Sequence, residues 1–89
     1  QTLGERELAA LAWLQLGSAC YQGNQKDKAV EPFQNAVALY RALNKRAAEG
    51  DALNSLGAAY FDLGNNREAR KAFEQALPLR RDARTKALT

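Results

Sequence analysis

The sequence predicts an all-α fold: four antiparallel helices arranged as two tandem helix-turn-helix hairpins. Three observations carry this. Alanine and leucine dominate, and Val30 and Val37 are the only valines or isoleucines, a bias that favours helix over sheet. Apolar residues recur at three- and four-residue steps. Shifting the chain by forty residues brings Leu16 onto Leu56, Gly17 onto Gly57, Ala29 onto Ala69, Phe33 onto Phe73, Ala36 onto Ala76 and Leu39 onto Leu79. A fixed period of that kind signals stacked supersecondary units.

The first helix spans about 3–22, with Leu8, Leu11, Ala12, Leu16, Ala19 and Cys20 in helical register, and Thr2 with Glu5 has the spacing of a capping box at its start. The polar break QGNQKD follows. There Gly23 is expected to take the left-handed cap conformation, and Asn24, with Asp27 three residues on, to cap the next helix. The second helix spans about 25–42 on Ala29, Phe33, Ala36, Val37 and Tyr40. Pro32 within it should clash with the carbonyl of Lys28 and bend the helix start.

The third helix spans about 46–62 on Leu53, Leu56, Ala59 and Tyr60. In the break LGNNRE, Gly64 closes that helix and Asn65 with Glu68 opens the next. The fourth spans about 66–83 on Ala69, Phe73, Ala76 and Leu77, with Pro78 late enough to kink only its last turns.

Glycine at 17 and 57 costs about 1 kcal/mol each against alanine in a helix interior. Both occupy the same repeat position, where the bulky residue of the partner helix, Phe33 or Phe73, presses in. Fully burying an aromatic yields roughly 1.5–3 kcal/mol, so close approach outweighs propensity. The 89 residues read as one domain over 1–89, with units at about 3–42 and 46–83. Residues 84–89 read as the start of a truncated third unit or a tail.

Several function classes are disfavoured. The chain has no histidine, which removes the commonest general base and metal ligand. Ser18 and Ser55 have no candidate base beside them, and the glycines are isolated rather than grouped in a phosphate loop. No catalytic residue, metal ligand or cofactor is assigned, and the chain is not read as an enzyme. Cys20 is alone, so no internal disulfide forms, and its apolar neighbours suggest a buried small hydrophobe. No apolar run reaches the roughly 18 residues of a membrane span, and a cytoplasmic protein is expected. The net charge of +3 is mild. Arg41, Lys45, Arg46, Arg80, Arg81, Arg84 and Lys86 read as solvated helix ends that complement the dipole. A nucleic-acid footprint would want a denser stripe with aromatics in it.

The markers Trp13, Leu16, Gly17, Cys20, Ala29, Phe33 and Ala36, and again Leu53, Leu56, Gly57, Tyr60, Ala69, Phe73 and Ala76, resemble the tetratricopeptide repeat. Its pattern is W-x2-L-G-x2-Y followed by Ala, an aromatic and Ala at set spacings. The resemblance covers roughly residues 10–83 and implies a fragment of a right-handed α-solenoid. The usual repeat is 34 residues and closes on a proline, whereas this one is 40 and lacks it. Longer repeats of this kind resemble those of kinesin light chains and of bacterial signalling proteins.

The resemblance implies that the first helix of each hairpin lines a concave face. Trp13, Leu16, Gly17, Cys20, Ala29, Phe33, Ala36, Leu56, Gly57, Tyr60, Ala69, Phe73 and Ala76 are then the repeat-packing set. The candidate peptide-binding positions are Leu14, Ser18, Tyr21, Gln22, Asn54, Ser55, Ala58, Phe61 and Asp62, a mixture of rings, amides and hydroxyls suited to an extended or helical peptide. Asn54 stands out, because an amide can hold a peptide backbone by both donor and acceptor. These positions offer no lysine or arginine, which argues against a clamp for an acidic peptide tail. The expected function is a non-catalytic scaffold that binds a protein or peptide. The alternative is self-assembly into a homo-oligomer through terminal repeat faces, with an apolar end at Leu77, Leu79 and Leu88 awaiting a cover.

Overall fold

The three breaks in the apolar pattern become three turns of one design. A computed structural model of the chain describes residues 3–88, with side chains over 4–80. The helices are α1 (Leu3–Gln22), α2 (Lys26–Ala42), α3 (Arg46–Asp62) and α4 (Asn66–Leu88), and the described residues include no strand. Each turn holds one left-handed residue: Asn24 (φ 64°), Asn44 (φ 58°) and Gly64 (φ 82°), spaced twenty residues apart. The N–H of that residue bonds to the carbonyl three back, and the next N–H to the carbonyl five back. These pairs are Asn24 to Tyr21 (3.2 Å) with Gln25 to Cys20 (2.8 Å), Asn44 to Arg41 (3.1 Å) with Lys45 to Tyr40 (2.9 Å), and Gly64 to Phe61 (3.0 Å) with Asn65 to Tyr60 (2.9 Å). That double bond is a Schellman closure, which satisfies carbonyls the helix end would otherwise leave open.

The first turn corrects the expectation for Gly23 and Asn24. Asn24, not Gly23, takes the left-handed conformation, which asparagine tolerates better than most residues with a Cβ. The residue before α2 is therefore Gln25, with no side-chain cap bond, and the Asn24–Asp27 capping box does not form. Thr2 lies outside the described residues. Pro32 is buried within α2 and Pro78 is exposed within α4, and neither ends its helix. α4 runs past the expected end at 83 to Leu88, so residues 84–88 continue that helix and open no new one.

Consecutive helices pack side by side, α1 on α2, α2 on α3 and α3 on α4, while α1 touches α3 only lightly. The core is built largely from alanine, which lets helix axes come close. One cluster joins Ala10, Ala36, Val37, Tyr40, Ala52, Leu53, Ala72, Ala76 and Leu79, with Trp13 and Leu14 packed against it. A second joins Ala29, Phe33, Leu56 and Ala59, flanked by Cys20, Tyr21 and Tyr60.

The glycine expectation holds at both positions. A Cβ on Gly17 would stand 2.6 Å from Phe33 Cδ1, and one on Gly57 would stand 2.7 Å from Phe73 Cε1. Each hairpin thus closes by seating a ring in the space a side chain would have filled.

Burial departs from the repeat pattern at the ends. Leu16 is 48% exposed, whereas its counterpart Leu56 is 7% exposed, because α2 covers α3 and no described helix covers the outer side of α1. About half of the Leu16 side chain thus stays open to solvent. Cys20 is half-buried, not enclosed. Leu79, expected in an open apolar end, is buried in the first cluster. Leu77 is exposed, and the side chain of Leu88 lies outside the described residues.

Charged pairs tie neighbouring elements. Glu49 is the buried charged residue of the core, and Arg41 Nε donates to its Oε2 at 2.9 Å while Arg41 Nη2 reaches Gln75 Oε1 at 3.5 Å. Lys45 Nζ stands 3.2 Å from Glu7 Oε1, and Arg80 Nε 3.7 Å from Asp51 Oδ1. Arg41, Lys45 and Arg80 are exposed, as expected, and each also pairs with a carboxylate on another helix. The side chains of Arg81, Arg84 and Lys86 lie outside the described residues.

Candidate functional site

α1 and α3 run side by side with a gap between them, and α2 lies beneath that gap. Ser18, Tyr21 and Gln22 of α1 and Ser55 and Ala58 of α3 line it, with the ring of Phe33 as its floor. Phe33 reaches this position because Gly17 has no side chain to hold it off. Five of the nine candidate peptide-binding residues therefore share one groove.

A sixth, Asp62, is joined to the groove by a cross-helix bond: the Tyr21 hydroxyl donates to the Asp62 carboxylate. Asp62 holds the phenol in its neutral form. The hydrogen bond to Asp62, then burial, then the carboxylate's charge raise the Tyr21 pKa above its usual value of 10.0. Lys26 Nζ lies 5.2 Å from the Tyr21 ring centroid and also donates to Asn24 Oδ1 at 3.3 Å. An ammonium at that distance is attracted to the face of the ring. Gln34 Nε2 donates to the Tyr60 hydroxyl at 2.8 Å, holding α2 to α3.

The other three candidates stand elsewhere. Leu14 is half-buried and packs against both core clusters. Asn54 is half-buried on α3 and does not line the groove. Phe61 is largely exposed outside it.

Residues outside the two first helices reach the site as well. Asn24, Lys26, Asp27, Asp62 and Leu63 line a polar recess at the turn end of the groove. At the opposite end, Gly4, Glu7, Leu8, Leu11, Tyr40, Lys45 and Ala48 line a second recess, with the Glu7–Lys45 pair among them. The groove itself carries no lysine or arginine, as expected of its first-helix positions, while Lys26 and Lys45 stand in the recesses beyond its two ends. Lys26 opens α2 and Lys45 precedes α3, so neither lies on a first helix. The turn spacing was the available signal, since each turn must lie beside the end of a first helix.

A family model described as tetratricopeptide repeat matches residues 8–82. The chain belongs to the tetratricopeptide repeat family. No curated protein and no solved structure matches it. Tetratricopeptide repeats are protein–protein interaction modules, and the two hairpins with their glycine–phenylalanine contacts are the repeats of this one. Among the described residues no helix is long and apolar enough to cross a membrane, and no group of three His, Cys, Asp or Glu side chains could hold a metal ion.

Proposed function

We propose that this tetratricopeptide repeat protein is a non-catalytic scaffold that holds a peptide or partner helix in the groove between α1 and α3. The observation that carries the reading is the lining: an aromatic floor at Phe33 between walls that offer the hydroxyls of Ser18 and Ser55 and the amide of Gln22. An apolar base with a few polar groups on its rim suits an apolar side chain of the ligand below and its backbone above. Leu14 and Asn54 take secondary places in this reading, and Phe61 acts as an outer wall. Lys26 and Asp62 at the turn end favour a ligand that carries a charge at one terminus. The groove offers binding groups and no nucleophile–base pair, so the proposed role is recognition.

The test is selection of binders from a phage library of short peptides, followed by affinity measurement against Ala58→Arg. Arg at 58 would project into the groove without entering either core cluster. The selected peptides should lose at least about tenfold in affinity, a difference of about 1.4 kcal/mol, while Glu74→Ala on α4 changes nothing. Equal binding to Ala58→Arg would reject the groove as the site.

A further inference from the structure

The recess beside the start of α1 holds a buried polar group that the fold leaves unused. Tyr40, only 8% exposed, lines it from α2, between Leu8 and Leu11 of α1 and Ala48 of α3. Among the described residues the Tyr40 hydroxyl has no hydrogen-bond partner, yet no side-chain oxygen is both sealed from solvent and unbonded. The hydroxyl therefore reaches an opening, and the recess is the opening that Tyr40 lines. A polar atom at the base of an apolar recess suits a ligand that brings it an acceptor. The Glu7–Lys45 pair stands on the rim.

The recess and the groove repeat each other along one trough between α1 and α3. Leu11, Tyr40 and Ala48 line the recess, as Ser18, Phe33 and Ser55 line the groove. Leu11 and Ser18 on α1, Ala48 and Ser55 on α3, and Phe33 and Tyr40 on α2 are each seven residues apart. Seven residues are two helical turns, which return to nearly the same face. The two sites therefore open on one side of the molecule, about 10.5 Å apart along the helices.

The rims decide the form of the occupant. The groove offers the hydroxyls of Ser18 and Ser55 and the amide of Gln22, and the recess offers the Tyr40 hydroxyl and a carboxylate–ammonium pair. Such groups match free N–H and C=O groups of a ligand backbone, which a helix keeps paired internally. A β-strand leaves half of them free, but its same-face side chains fall about 6.8 or 13.6 Å apart. A polyproline II chain has no internal hydrogen bonds and returns to the same face every third residue, about 9.3 Å on. Glu7 and Lys45 neutralise each other, so the recess offers no net charge to a charged side chain. We propose that the Tyr40 recess is a second anchor site on this trough, taking an extended peptide with uncharged apolar side chains at positions i and i+3. One side chain seats on Phe33 and the other against Tyr40, whose hydroxyl donates to a ligand carbonyl. This assignment rests on the α1–α3 groove being the binding site.

The test starts from peptides selected on the intact chain from a phage library of short random sequences, which should share apolar residues at i and i+3. The most enriched peptide is then titrated against Leu11→Arg and Tyr40→Phe in the recess and Ala58→Arg in the groove. Leu11 lies in neither core cluster, and arginine there should cost at least about tenfold in affinity. Tyr40→Phe should cost about threefold to tenfold, with the urea midpoint of the free protein unchanged because the hydroxyl has no partner to lose. Replacing the recess anchor of the peptide by alanine should remove the effect of Leu11→Arg. Full affinity for both recess variants, with loss at Ala58→Arg, would overturn the second anchor and leave the groove reading standing. Loss at the recess with full affinity for Ala58→Arg would reject the groove itself, and the two-anchor ligand with it. Enrichment at i and i+7, or at i and i+2, would overturn the extended form in favour of a helix or a strand.

Discussion

Gly17 and Gly57 occupy the same place in the repeat, yet alanine should not cost the same at each. Alanine gains about 1 kcal/mol of helix propensity over glycine at either site. At Gly17 the new methyl would stand 2.6 Å from both Cδ1 and Cε1 of Phe33, where carbon contacts prefer roughly 3.5–4.0 Å. The ring must therefore move by about 1 Å, and at 2% exposure it is enclosed, sharing its cluster with Ala29, Leu56 and Ala59. Overpacking of a closed site costs roughly 1–3 kcal/mol, and the upper end applies here, leaving a net loss of about 2 kcal/mol. For a domain of this size that lowers the melting temperature by roughly 8–16 °C.

At Gly57 the methyl would stand 2.7 Å from Phe73 Cε1, but Phe73 is half-buried on α4 and can turn toward solvent. Relief should offset most of the strain there, leaving a net change of about 0.5 kcal/mol or less. Urea unfolding followed by far-UV circular dichroism measures both. Phe33→Leu in the Gly17→Ala background should recover part of the loss through coupling between contacting sites. A Gly17→Ala protein as stable as the parent, or equal losses at both glycines, would refute the close-approach argument.

Three further outcomes follow from the same geometry. Arg41→Gln leaves the buried Glu49 carboxylate without its ion pair; because Arg41 itself is largely exposed, the cost is discounted to about 1 kcal/mol, measurable by urea unfolding. Tyr21 should titrate above its usual 10.0 in assigned NMR spectra and fall toward that value in Asp62→Asn. A raised folded pKa means the stabilising contribution is complete below the unfolded value and is lost as pH rises through the folded one, so Asp62→Asn should weaken that alkaline dependence. Gly64 has φ +82°, and a methyl placed there would meet nothing within 4 Å. Alanine at that position therefore meets only backbone strain and should cost about 1 kcal/mol by urea unfolding, whereas Gly64→Asn should cost less, as Asn24 and Asn44 already hold that conformation.

The helices and hairpin contacts were legible because they depend on neighbours inside the repeat. The Gly17–Phe33 and Gly57–Phe73 contacts each follow from one hairpin's own residues. What the sequence concealed depends on neighbours beyond it. Leu16 and Leu56 are identical in type and register, and only the presence of α2 on one side of α3 separates exposed from buried. Leu79 reads as part of an open end because its helix is terminal, but its side chain turns inward onto α3. Gly23 is the commoner choice for a left-handed cap, and the place of the turn shifted by one residue because the Schellman bond from Gln25 to the Cys20 carbonyl sets it. Glu49 carried no sequence signal, since its burial requires Arg41 from another helix.

The groove obeys the same logic. It needs two consecutive first helices as walls and the intervening second helix as floor. In this chain α1 and α3 are the walls and α2 supplies Phe33. The repeat then makes the two walls different although their positions correspond: Ser18 faces the groove with its counterpart Ala58, and Gln22 lies on the α1 side while its counterpart Asp62 receives the Tyr21 hydroxyl. Phe73 repeats Phe33 in sequence, yet it is only half-buried, with no described helix packed over it as α3 is packed over Phe33. Recognition in such a module is therefore written in the differences between repeats, while the likenesses between them build the scaffold that holds those differences in place.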